Sequence, residues 1–113
     1  MNKDREIYVL GTKYRIKYRK IEEDKGLEDA DGYIDDTSKE IIIRGENAAK
    51  LGNFEELQKQ ALRHEIIHAF LFESGLGHNM YHSGEYGHEE ETVDWFARQA
   101  PRIYEAFQEL GII

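Results

Sequence analysis

The chain contains no cysteine and a single proline. Without cysteine there is neither a disulfide framework nor a thiolate metal site, so any metal must be held by histidine and carboxylate side chains. The low proline content, with 40% apolar and 34% charged residues, describes a chain of ordinary globular composition without long disordered tracts. No run approaches the roughly 20 apolar residues needed to cross a bilayer. The N-terminal stretch MNKDREIYVL places charges on both sides of a short apolar segment, unlike a secretion signal. No membrane partner is expected, and the expected location is the cytoplasm. An excess of basic charge is missing too: a formal net charge of -8 argues against nucleic acid as the partner. The length suits one domain, residues 1–113, enclosing one core.

What is present organises into strands first and helices second. Glu6 to Leu10 and Lys13 to Tyr18 read as strands flanking Gly11-Thr12, a pair suited to a tight hairpin. At strand period two, Lys13, Arg15, Lys17 and Arg19 share one face, read as a solvated outer face rather than a docking surface for an acidic partner. Residues 22–31 carry six carboxylates and read as an exposed excursion. A second hairpin follows, with arms Gly32 to Asp35 and Glu40 to Arg44. Its Ile41-Ile42-Ile43 run predicts a strand either covered on both faces or offered on one face to a partner.

Asn53, with Glu56 three residues later, marks the start of a helix over Phe54 to Glu73, ended before Gly75. Apolar residues around much of its circumference predict a central, well-buried helix. Ser74 to His88, rich in glycine, histidine and tyrosine, reads as a loop shaped for a ligand. A last helical region runs from near Glu89 to about Leu110, either kinked at Pro101 or restarted there.

The chemistry lies in His64-Glu65-Ile66-Ile67-His68. Histidines at i and i+4 leave one helix face one turn apart, so both imidazoles reach a single tetrahedral ion. Glu65 is rotated by about 100° and cannot easily join them as a ligand. It is placed to lean over an ion-polarised water as proton acceptor and later donor. A third ligand comes from Glu89-Glu90-Glu91 or from the loop histidines His78, His82 and His88. The helix phase set by Val93, Phe96, Ala97 and Ala100 turns Glu91 toward solvent. Glu90 is favoured over Glu89 because Asp94 follows one turn later, where it can accept the free N–H of a ligand histidine. An oxyanion donor is sought among His78, Tyr81, His82, Tyr86 and His88, without a choice between them.

The stretches Arg63-His64-Glu65-Ile66-Ile67-His68-Ala69-Phe70-Leu71 and Glu90-Glu91-Thr92-Val93-Asp94-Trp95-Phe96-Ala97 resemble the small phage- and mobile-element-associated ImmA/IrrE-like metallopeptidases, gluzincin-type zincins. Thr92 departs from that pattern, which often has a second acidic residue there. The resemblance implies an α+β minimal zincin, with a small antiparallel sheet packed on the His64–His68 helix and a C-terminal glutamate helix. It further implies Zn2+ as cofactor, held by His64, His68 and Glu90, with Glu65 as base, Asp94 behind the ligands, and a protein or peptide as substrate. The Ile41 to Arg44 strand is expected to offer an edge on which that substrate adds. Two other readings stand beside the peptidase: a zinc-binding regulatory or interaction module that cleaves nothing, and a zinc hydrolase acting on non-peptide substrates.

Overall fold

Alternating apolar and charged residues over the first strands place one row inside and the other outside, and this alternation builds the sheet. The computed structural model describes residues 3–75 and 90–113. Its elements are β1 (Arg5–Val9), β2 (Thr12–Arg19), a short 3-10 turn (Lys25–Leu27), β3 (Gly32–Asp35), β4 (Glu40–Arg44), α1 (Phe54–Glu73) and α2 (Glu90–Glu109). Among the described residues the fold is α+β, a four-stranded sheet with two helices.

The sheet is mixed, not antiparallel as expected. Its order is β1-β2-β4-β3, with β1/β2 and β3/β4 antiparallel and β2/β4 parallel. The isoleucine run accounts for this arrangement. Ile41 and Ile43 are fully buried and Ile42 nearly so, which demands an interior strand. Parallel pairing sets Ile16 beside Ile41 and Tyr18 beside Ile43. Val9, Tyr14, Ile16, Tyr18, Ile41 and Ile43 then form one apolar face that packs on Leu62 and Ala69 of α1. Each such side chain stabilises the fold by roughly 1.5–3 kcal/mol on burial.

On the outer face Ile42 lies beside Tyr33, whose hydroxyl donates to Asp24 at 2.6 Å. The acidic excursion is therefore structured: Asp24 caps the 3-10 turn by accepting from Gly26 N, and Leu27 is completely buried. The four cations of β2 are all answered within the chain. Lys13 pairs with Glu6, Arg15 and Lys17 with Glu40, and Arg19 with Asp4.

The first turn lies one residue earlier than its sequence suggests. Val9 pairs with Thr12, and the turn is Leu10-Gly11, at φ 48° and 87°. Two residues at positive φ make the tight turn whose twist matches the strands, so Leu10 is drawn into a region that suits glycine or asparagine better.

Helix α1 has the expected bounds, with the Asn53 side chain accepting from Glu56 N at 3.2 Å. It is not buried all round: the sheet takes one face and α2 an adjacent one, leaving Phe70 43% exposed. At its far end the Glu73 carboxylate accepts from the Thr12 hydroxyl, the Tyr14 hydroxyl and the Lys39 ammonium. Helix α2 runs through Pro101 as one element. Gly111, at φ 68°, closes its end: Gly111 N donates to Gln108 O and Ile112 N to Phe107 O. No helix among the described residues is long and apolar enough to cross a membrane.

Candidate metal centre

Two helices build the site. Four-residue spacing stacks His64 and His68 on the flank of α1 that faces α2, with ring centroids 5.0 Å apart. His68 is further held by stacking on Phe72. Glu90, the first residue of α2, reaches across: its Oε1 is 2.6 Å from His68 Nε2 and its Oε2 is 3.4 Å from His64 Nε2. The three side chains offer one ligand atom each within 4.8 Å of one another.

This donor set fits a divalent ion. Two atoms bound at about 2.0–2.1 Å to a tetrahedral centre lie about 3.3–3.4 Å apart, the His64–Glu90 separation. The shorter His68–Glu90 distance is that of a direct hydrogen bond, which an ion inserted between the two would replace. Both histidines present Nε2 to the carboxylate, leaving Nδ1 of His64 to face Asp94 Oδ1 at 3.4 Å. That pairing fixes which nitrogen is free to bind.

Asp94 is itself gripped. Arg98 Nε donates to its Oδ2 at 2.7 Å, and Gln60 Nε2 approaches Oδ1 at 3.5 Å. The Arg98 hydrogen bond, aided by His64, holds the Asp94 carboxyl below its ordinary range. Arg98 and Gln60 escaped the sequence reading, although their spacing carried a signal. Each stands one turn from a site residue, Arg98 at i+4 from Asp94 and Gln60 at i-4 from His64.

Glu65, next to His64 on α1, is buried, only 7% exposed, and lines the same cavity as His64 and Glu90. Burial pushes its carboxyl up to about 7; His64 pulls it down and Glu90 pushes it further up. A carboxylate poised near neutrality can both take and return a proton at physiological pH. This cavity of about 280 Å³ is lined by His64, Glu65 and Glu90 together with Gly32 of β3 and Arg98. A larger cavity, about 670 Å³, lies around Arg5 and Gln58 toward the start of α1 and contains none of these groups.

No family model, curated protein or solved structure matches this chain. Of the residues singled out in the sequence, His64, Glu65, His68, Glu90 and Asp94 come together. Glu89, His78, Tyr81, His82, Tyr86 and His88 lie outside the described residues. The Ile41 to Arg44 strand does not offer an edge, because β4 is paired on both sides.

Proposed function

We propose that this chain is a zinc-dependent metallopeptidase, a minimal zincin of ImmA/IrrE-like type. The observation that carries the reading is the convergence of His64, His68 and Glu90 on one point, with the buried Glu65 beside them. Nitrogen and oxygen donors in a tetrahedral array suit Zn2+. Zinc, when bound, supplies a Lewis acid for the scissile carbonyl and acidifies the attacking water. Glu65 takes the proton from that water and passes it to the leaving amine. Asp94, steadied by Arg98 and Gln60, keeps the His64 ring in one tautomer and one orientation.

The substrate strand adds to β3 rather than to β4. Strand β3 carries the free edge at its end of the sheet among the described residues, and Gly32 at its start borders the cavity over Glu65. Gly32 also lets the strands close up: a Cβ there would stand 2.8 Å from Ile43 Cδ1. A module that bound zinc only for its structure would have no use for a buried Glu65 next to the ligands.

The deciding experiment measures zinc content and peptide hydrolysis together in the parent and three variants. Glu65→Gln keeps zinc and the fold but loses about 10²- to 10⁴-fold in turnover. Glu90→Gln loses zinc, while Asp94→Ala weakens zinc binding by about 10- to 100-fold. Equal hydrolysis by Glu65→Gln and parent removes the base from the scheme. Stoichiometric zinc in Glu90→Gln removes the ligand.

A further inference from the structure

We infer that the outer half of α2 is a self-association surface, on which a second copy of this chain docks its own α2 antiparallel to the first. This rests on a different part of the molecule from the metal centre.

Helix α2 fully buries side chains only over its first two turns, and Ile103 further along is partly buried. Val93 and Ala97 are buried, and from Arg98 onward no residue is. The remainder extends about 18 Å beyond those contacts. It is nevertheless a finished helix, closed by the Gly111 cap. Along it Val93, Phe96, Ala100, Ile103, Phe107 and Leu110 recur at alternating spacings of three and four, the seam of a paired helix. The first member of the seam is covered by α1. Phe96, Phe107 and Leu110 are 47%, 40% and 73% exposed, and Tyr104 beside them 51%.

The charged residues Arg98, Arg102, Glu105 and Glu109 lie on the opposite side of the helix, which turns the apolar stripe into a defined face. That polar face is balanced in sign, unlike the cationic face of a helix built to lie on anionic lipid.

The seam is close to symmetric about Ile103. In an antiparallel pair Ile103 meets its own copy, Ala100 meets Phe107, and Phe96 meets Leu110. A small residue is thus set against a large one, the interdigitation that tight packing requires. Parallel pairing would instead stack Phe107 on Phe107 and Ala100 on Ala100. It would also bring both sheet-bearing bodies to the same end, whereas the antiparallel pair sends them to opposite ends and opposes the helix dipoles. From these exposures each copy would bury on the order of 500 Å² of apolar surface, about 1,000 Å² in total. That is the lower bound for a specific interface, the size of weak, reversible associations.

The absence of cysteine makes the test clean, since an introduced thiol reports only its own neighbour. Sedimentation of the full chain between about 1 and 200 µM is expected to show a monomer–dimer equilibrium, weakened at least 10-fold in Ile103→Glu and Phe107→Glu. Circular dichroism of each variant checks that the helices persist. Ile103→Cys should form a disulfide dimer on mild oxidation. Phe96→Cys and Leu110→Cys should cross-link when mixed but not singly. A chain that stays monomeric throughout overturns the inference, as does a dimer unaffected by both charged variants. Efficient cross-linking of Phe96→Cys with itself overturns the antiparallel arrangement. A monomer that instead sediments with phosphatidylcholine–phosphatidylserine vesicles assigns the face to lipid.

Discussion

Glu65 combines two demands that conflict in most proteins, burial and charge. In the metal-free chain its carboxyl is pushed from an ordinary value of 4.5 up to about 7. The folded state therefore holds a proton that the unfolded chain has released, and stability falls as pH rises through that window. Glu65→Gln removes the penalty. With chelator present, the variant is expected to be more stable than the parent by about 1–3 kcal/mol at pH 8 and equal to it at pH 4, as read by calorimetry. A bound dication would remove the difference by pulling the carboxyl down again. At this scale the sequence was highly legible, because the fourfold spacing of His64 and His68 and of Glu90 and Asp94 dictates shared faces whatever surrounds them. It failed at Leu10. Nothing local announces that a leucine will take φ 48°, and the turn slipped by one residue as a result.

Elements were legible where their ends carry chemistry. The Asn53 side chain starts α1 by accepting from Glu56 N, while the Glu56 carboxylate turns to Arg63 instead, and Gly75 follows the helix end. What the helix docks against was not legible, because Glu73 finds partners far away in sequence. Its carboxylate joins α1 to Thr12 and Tyr14 of β2 and to Lys39 in the second hairpin's turn. These donors, the Tyr14 hydroxyl first, lower its carboxyl from 4.5 to about 2. The stability this anchor contributes is fully present above the ordinary carboxylate range and is lost as pH falls toward 2. Glu73→Gln is expected to cost about 1.5–3 kcal/mol at pH 7, measured by urea denaturation, and to flatten the acid limb of the stability profile. An unchanged acid limb would show that the anchor lies elsewhere.

For the whole molecule, strand order was the least legible property. Alternation within a strand fixes which side chains face inward, but the parallel join of β2 to β4 depends on where residues 20–31 carry the chain. Ile41-Ile42-Ile43 hinted at an interior strand without naming its neighbours. The same scale governs what metal does to stability. Addition of zinc at 100 times its dissociation constant is expected to stabilise the fold by about 2.7 kcal/mol, raising the melting temperature by roughly 10–20 °C for a chain of this size. His64→Ala and His68→Ala should show no such rise in thermal melts. A full rise in either variant would place the ion elsewhere.

The ligands are divided between two helices, and that division has a topological consequence. An ion held by His68 and Glu90 ties together two points of the chain separated by all of residues 69–89, closing them into a ring. Unlike a disulfide, this link is released when the helices separate, so it strengthens the folded state in proportion to free metal rather than by restraining the unfolded chain. In a protein that contains no cysteine, an ion bound there would thus serve as a removable cross-link. Chelation would then remove the link between the start of α2 and α1, leaving the buried Val93 and Ala97 to hold the two helices together.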